Sequence, residues 1–486
     1  MKKNIRIKNG TVYDPKNGIE CEKMDVFIAD GKIVDEIKPD VILDATDKTV
    51  MPGGIDVHSH VATYGLNVTR FTFGFPTVSE IGYTYARMGY THVNEPLMTL
   101  NTASYVHHEL SSIPVVDTSA FLVLNVYDID KEIREGDRDG VKNLLLFLVH
   151  LTKSISVKIY DARVTYAKRG FFYRDIDVTR CLTFFYALLK SGGVPGIHLR
   201  TYPELLDEDT DVLSAFCMAH IASGIDNDGR YEAARDIVKK GGAMDLGMFS
   251  TPKSGYKTMS IGHSLADDRH FISVDIGLEQ PLLFSAVKET KSVDEQAYYS
   301  ILFALEALDY LNACTISFST DSPNGCFFHA YPALFAALLS RDNRKGQTKA
   351  NLPDREYSLY ELAAITRTNP ARLLGLNHKG HLGIGADADV AVYDINDDTK
   401  AEELEKRLGT CSYLLKGGEV VIYEGKLDKD RDRARKKRCY FAVGANELED
   451  AKENRRDVID RICTRRSFRA EHLMVDRCFI AENSHY

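Results

Sequence analysis

Positive charge is in short supply in this chain: 61 Lys and Arg stand against 70 Asp and Glu, for a formal net charge of −9. That sign is wrong for a protein whose main work is gripping phosphate backbones, so nucleic acid is not an expected partner. Long apolar runs are missing too, and no stretch reaches the roughly 18 residues that a membrane span needs. The N-terminal MKKNIRIKNG is basic but alternates polar with apolar residues, unlike a secretory signal. A cytoplasmic protein without a membrane partner is the expectation. The nine cysteines (Cys21, Cys181, Cys217, Cys314, Cys326, Cys411, Cys439, Cys463 and Cys478) include no C-x-x-C pair. The spacing that iron–sulfur and structural zinc sites favour is therefore absent. They read as reduced, mostly packed thiols, and any redox chemistry nearby has to run through another subunit or a bound cofactor. No G-x-G-x-x-G follows the first strand of the central region, which counts against a doubly wound dinucleotide fold. Internal repeats are absent as well.

What is present is an ordinary folded composition, with 44% hydrophobic and 27% charged residues in 486. Such a length allows about two to four domains, or one large barrel with an accessory domain. Short strands are predicted at Ile5–Ile7, Thr11–Tyr13 and Val26–Ile28, with Asp30-Gly31 turning into Lys32–Val34. A second cluster of this kind lies at 380–425, where Val390–Tyr393 and Val420–Tyr423 are punctuated by Gly383, Gly385 and Gly417-Gly418. Strands at both ends point to one small composite β-domain; two unrelated β-appendages are the alternative. Between them, apolar strand-like runs (Ile55–Val57, His92-Val93, Ser156–Ile159, Gly196–Leu199, Met218–Ile221, Thr315–Phe318) alternate with helical periods at 79–89, 141–152, 178–191, 230–240, 296–309 and 357–366. About 325 residues of such alternation suit a (β/α)8 barrel, with its chemistry at the C-terminal strand ends. The expected division is 1–51 and 377–426 for the β-sandwich domain, 52–376 for the barrel, and 427–486 for a charged tail. The runs 428–438 and 447–472 of that tail read as a solvated helix or loose arm, or else as a partner-docking element.

The sharpest chemical signal is Pro52-Gly53-Gly54-Ile55-Asp56-Val57-His58-Ser59-His60. Histidines at i and i+2 on a strand point the same way, so both imidazoles can reach one metal. An H-x-H pair alone is common by chance, but here it opens the barrel directly after the β-domain. His107, His108, His263, His270 and His329 have no motif support and read as surface or packing residues, while Tyr85 and Tyr90 read as core.

With the flanking strands and the closing run from Gly380 to Asp389, this motif resembles the amidohydrolase superfamily of metal-dependent hydrolases. Within it, the chain is similar to the A-type subunit of formylmethanofuran dehydrogenase and its counterpart in bacterial formyltransferase/hydrolase complexes. Tyr85–Thr91, Asp321–Gly325 through Tyr331-Pro332, and Arg355–Glu361 carry that likeness, which spans about residues 5–425. The resemblance implies two zinc ions held by His58, His60, a carbamylated Lys158, later strand-end histidines and Asp321. His220 fits the sixth strand, and Asp321, on the eighth, fits a ligand that also shuttles the proton. Taken alone, a buried strand lysine such as Lys158 is more often a salt-bridge partner.

The fifth strand departs from the family pattern. Where a second ligand histidine is expected the chain reads His198-Leu199-Arg200, and a guanidinium has no lone pair to offer. His198 shares that face one step deeper. Ser322 replaces a histidine usual after the aspartate, and Asp161-Ala162-Arg163 replaces an Asn-Pro-Gly-Gly run. These departures imply a weakened site with at most one tightly held metal, and with Arg200 and Asn324 as substrate contacts. The implied reaction interconverts formate plus methanofuran with formylmethanofuran, a formamide, within a multi-subunit complex of one-carbon metabolism such as that of methanogenesis. A stand-alone cyclic amidase or N-acyl amino acid deacylase is one alternative. A metal-impaired scaffold subunit is the other.

Overall fold

The computed structural model describes residues 3–62, 70, 77–124, 130–159, 183–186, 196–200, 203–207, 209–225, 227–247, 260–262, 272–275, 281–285, 291–310, 315–322, 326–345, 352–428, 438–441 and 483–484. Eight parallel strands form its centre: β1 (Gly54–Asp56), β2 (Tyr90–Met98), β3 (Asp117–Leu124), β4 (Ser156–Ile159), β5 (His198–Arg200), β6 (Cys217–Ala219), β7 (Ala243–Asp245) and β8 (Thr315–Ser317). They pair in chain order from β1 to β8. A parallel bridge between Ser59 and Ser322 brings the last strand back to the first, and the His60 amide donates to the Ser322 carbonyl at 2.8 Å. The result is a (β/α)8 barrel. Strands β3 and β7 were not among the expected ones. Every residue of β3 is buried, as a parallel strand covered on both faces requires, so it shows no period-2 alternation. β7 has only three residues.

Helices Val78–Arg87, Arg138–Thr152, Asp228–Lys239 and Lys291–Ala307 form near the predicted positions. The Thr77/Glu80 capping box starts the first, with the Thr77 amide donating to Glu80 Oε2 at 2.6 Å. The predicted 357–366 helix runs from Leu359 to Ala363 and then widens into a π turn at Ala364–Thr368. Ala103–Ser112 is also a helix, and it contains His107, His108 and Glu109, which read as helix from the sequence. Of the predicted 178–191 helix, 183–186 is helical and the rest lies outside the described residues. Among the described residues no helix is long and apolar enough to cross a membrane.

Strands from residues 5–52 and 390–427 join one nine-stranded mixed sheet, the composite β-sandwich domain. Thr49–Pro52, the strand leading into β1, pairs antiparallel with Val390–Tyr393 from the far end of the chain. The alternative of two separate appendages is thereby excluded. Asp30-Gly31 and Gly417-Gly418 turn their hairpins with φ of 51°, 84°, 55° and 78°, the left-handed pair that tight hairpins need. Apolar side chains of this sheet, Ile7, Val12, Ile28 and Val390 among them, make a cluster separate from the barrel core.

Residues 438–441, between the two charged runs, pack onto the barrel. Cys439-Tyr440 adds a strand parallel to the start of β3. Tyr440 is fully buried against Ile55, Val57 and Phe121 and so closes the N-terminal end of the barrel. The Arg438 amide donates to Asp117 Oδ1 at 2.7 Å. The same carboxylate meets Lys416 Nζ at 2.7 Å and Lys379 Nζ at 2.8 Å. Tail, β-domain and barrel therefore share one buried ionic knot. Of the charged runs, 429–437 and 447–472 lie outside the described residues.

Candidate metal centre

The motif Pro52-Gly53-Gly54 brings β1 close to β2: a Cβ on Gly53 would stand 2.3 Å from Thr91 Oγ1, and one on Gly54 2.8 Å from the Tyr90 ring. Glycine alone permits that approach. Just past β1, His58 and His60 enter the C-terminal mouth of the barrel, and both are buried. Asp321 follows β8 and reaches both rings, with Oδ1 at 3.2 Å from His58 Nε2 and 3.3 Å from His60 Nε2. Lys158 Nζ, from β4, lies 3.1 Å from His58 Nε2. His220 follows β6, its ring centroid 4.9 Å from that of His58. His58, His220 and Asp321 each turn a ligand atom inward, all within 4.8 Å of one another.

His220 and Asp321 hold left-handed backbones, with φ of 39° and 46°. Non-glycine residues adopt this conformation at a cost, and such outliers concentrate at functional sites. Gly247 makes room for His220, since a Cβ there would stand 2.2 Å from His220 Cβ.

Electrostatics follow from burial. Desolvation, with the Arg200 cation adding to it, outweighs the Asp321, Asp245 and Glu95 carboxylates and pushes the Lys158 amine down to about 7. Burial takes His220 and His198 down to about 3 and lowers His58 well below its usual range. Burial also opposes the Asp321 anion, yet the His220, His58 and His60 rings around it hold that carboxyl well below the usual range. For His60 the Asp321 and Glu95 carboxylates overcome burial and raise the ring. For His58 and His220, a neutral imidazole facing the ionised Asp321 carboxylate is the protonation state that donates an electron pair to a metal, whereas His60 must give up its proton to do so. A tetrahedral zinc with bonds of about 2.0–2.1 Å places its donors about 3.3 Å apart. The His58–Asp321 and His60–Asp321 separations match that spacing. The residues present therefore fit a metal ion.

One predicted ligand stands apart. His198 pairs in register with Lys158 and Arg200 with Ala219, so His198 sits at the level of the lysine, below the mouth. Its ring packs on Phe121 at 4.0 Å between centroids, and neither ring nitrogen has a hydrogen-bond partner among the described residues. It does not join the cluster of His58, His220 and Asp321. Asn324 and Asp161–Arg163 lie outside the described residues. Ser322 acts through its backbone, as the seam between β8 and β1. Of the weaker histidines, His107 is buried and shares a hydrogen bond of 2.9 Å with the Thr152 carbonyl, a packing role; His263 and His270 lie outside the described residues. Tyr85 and Tyr90 are core residues, both fully buried.

Two carboxylates escaped the sequence reading. Glu95 accepts from the Val61 and Ala62 amides, each at 2.7 Å, and from the Leu97 amide at 3.0 Å, and its Oε1 is 3.2 Å from His60 Nδ1. It thereby fixes both the His60 ring and the loop that follows. Asp245 ends β7 beside His58 and His220, and burial pushes its carboxyl up to about 7. A glutamate two residues past the predicted His92-Val93 strand was a signal available in the sequence. Asp245 offered none, because its strand is too short to recognise.

A model of the amidohydrolase family matches residues 309–422. Protein FwdA of Methanocaldococcus jannaschii is 30% identical, over 87% of this chain and 89% of FwdA. FhcA, from the formyltransferase/hydrolase complex Fhc of Methylorubrum extorquens, is 28% identical over the same shares. A chain in the crystal structure of the Methylorubrum extorquens formyltransferase/hydrolase complex (FhcABCD) superposes with a TM-score of 0.80 at 23% identity, covering 99% of both chains. D-hydantoinase shares the fold more distantly, with a TM-score of 0.52 at 16% identity over 90% of this chain and 98% of its own. A (β/α)8 barrel whose first-strand histidines and eighth-strand aspartate converge at its mouth, in a chain this similar to FwdA along most of its length, belongs to the amidohydrolase superfamily, in the group that holds FwdA and FhcA.

Proposed function

We propose that the chain is a zinc-dependent formamide hydrolase or condensing subunit, interconverting formate plus a methanofuran-type amine with the formylated carrier. It would work in the cytoplasm inside a formylmethanofuran dehydrogenase or formyltransferase/hydrolase complex. The observation that carries this reading is the meeting of His58 and His60 on Asp321 Oδ1, at 3.2 and 3.3 Å, in a chain 30% identical to FwdA.

His58, His60, His220 and Asp321 would hold the metal, with Lys158 as a further ligand once carbamylated. When bound, zinc supplies Lewis acidity at the formyl oxygen and makes a nucleophile available at neutral pH. Lys158 suits carbamylation because burial pushes its amine down to about 7, so that a large share is neutral near pH 7: Nζ bonds to the carbon of CO2, one N–H proton leaves, and an anion with two oxygens results. Asp321, ionised and half-buried among imidazoles, takes the proton from water as the C–O bond forms. It then returns that proton to the departing amine as the C–N bond breaks. Glu95 keeps His60 from turning. Arg200 supplies a fixed cation for formate or an acidic arm of the carrier, and Asn324 is proposed as a second substrate contact.

The test is the chain purified with its natural partner subunits, assayed for zinc and for formate released from formylmethanofuran. Bound zinc, turnover, and loss of turnover in Asp321→Asn without loss of folding are expected. A metal-free chain with no turnover would favour the scaffold reading, for which Arg200 at the β5 mouth is the specific observation.

A further inference from the structure

We propose that Asp245 is a positioning residue that sets the tautomer and direction of the His58 ring; this rests on the metal reading above. The two nitrogens of His58 face different groups. Nε2 points at Asp321 Oδ1, 3.2 Å away, and at Lys158 Nζ, 3.1 Å away. Nδ1 is buried without a hydrogen-bond partner among the described residues, and it faces Asp245 Oδ2 at 3.8 Å. A neutral imidazole carries one proton, so Nε2 can offer its lone pair to a metal only if the proton sits on Nδ1. An Nδ1–H in this dry pocket needs an acceptor, and Asp245 is the acceptor it faces. At 3.8 Å the contact is longer than a hydrogen bond; a ring shift of under about 1 Å closes it, and such contacts tighten in loaded sites.

The surroundings of Asp245 make it a rigid reference point. Ser319 Oγ donates to Oδ2 at 2.5 Å, the His220 amide donates to the same oxygen at 3.3 Å, and the Gly247 amide donates to Oδ1 at 3.3 Å. One carboxyl group thus registers ligands from the first and sixth strands against the chain leaving the eighth. An ionised or a neutral carboxyl presents an accepting oxygen, so the role does not depend on its titration. Glu95 already makes the equivalent contact to His60 Nδ1, at 3.2 Å. Each ring of the H-x-H pair therefore has its own carboxylate behind it, the arrangement by which metal-binding histidines are held in one tautomer.

Asp245→Asn is the informative variant. The amide keeps the size and one accepting oxygen, but its NH2 can donate to Nδ1, which moves the ring proton to Nε2 and hides the lone pair. Metal-free full-length chain would be titrated with Zn2+ against a chromophoric chelator, and its Co2+ form recorded in the visible range. Asp245→Asn is expected to weaken zinc binding by about 10–100-fold and to change the Co2+ spectrum, while the melting temperature of the metal-free chain holds. Ser319→Ala, which only loosens Asp245, is expected to weaken binding by less. Wild-type affinity and spectrum in Asp245→Asn would overturn the proposal. Should that variant fail to fold, Ser319→Ala decides, and wild-type affinity there overturns it. His58→Ala separates the two readings. If it binds zinc like the wild type, the metal reading itself fails; if it loses zinc while Asp245→Asn does not, only the role of Asp245 fails.

Discussion

At the scale of single residues, chemistry converges on Asp321 Oδ1, which both first-strand histidines reach. Replacing His58 and His60 together by Ala should abolish zinc measured by elemental analysis and leave the far-ultraviolet circular dichroism unchanged; zinc retained in the double variant would sink the proposed site. Lys158 is buried and its amine is pushed to about 7. With 13C-bicarbonate, the metal-loaded chain should therefore show a carbamate carbon signal that Lys158→Ala lacks, and its absence in the wild type would count against the bridging ligand. Arg200 is the residue most at odds with a two-metal centre. Its charge depresses both Lys158 and His220 behind the larger effect of burial, and a fixed cation beside two dications repels them unless an anion intervenes. One tightly held zinc per wild-type chain is expected, with higher occupancy in Arg200→His. Two zincs in the wild type would show that Arg200 does not stand at a ligand position.

Among elements, the short strands β6, β7 and β8 matter less for their own length than for the backbone just beyond them. His220 and Asp321 are presented there in left-handed conformations, and Gly247 must be glycine for the first of these to fit. Gly247→Ala combines a φ of +55° with a Cβ placed 2.2 Å from that of His220. Gly385→Ala, with a φ of +86° and nothing within 4 Å, isolates the backbone term, about 1–2 kcal/mol. Thermal or denaturant unfolding should show a larger loss for Gly247→Ala than for Gly385→Ala, and zinc affinity should fall only in the former. Equal losses would mean that the His220 contact relaxes freely.

For the molecule as a whole, the knot around Asp117 joins tail, β-domain and barrel. Burial opposes the Asp117 anion, but the Lys379 and Lys416 ammonium groups prevail and hold its carboxyl below the ordinary range. The unfolded chain therefore binds more protons in acid. The contribution of Asp117 to stability is complete above the unfolded value of about 3.9 and is lost as pH falls through the lower folded value. Asp117→Asn takes the carboxylate from Lys416 and leaves Lys379 with Asp389 alone, and should cost about 3 kcal/mol at neutral pH. It should also flatten the acid limb of a stability–pH curve; an unchanged limb would place the acid sensitivity elsewhere.

The barrel was legible because its strands and helices leave local traces, and the H-x-H pair because i and i+2 share a strand face whatever the surroundings. By itself the sequence determined the fold class, the composite β-domain and the residues His58, His60, Lys158, His220 and Asp321 as candidates. Local pattern could not reveal β3, whose burial on both faces erases alternation, nor the burial of Tyr440, which depends on Ile55, Val57 and Phe121, more than 300 residues earlier in the chain, and on Ala371, Leu374 and Leu376. Only the tertiary structure decided that Asp321 meets both histidines, that His198 stacks on Phe121 below them, and that Glu95 and Asp245 stand behind the two rings. Those are relations between strand ends far apart in sequence, and barrel closure, not any local preference, sets the distances between them.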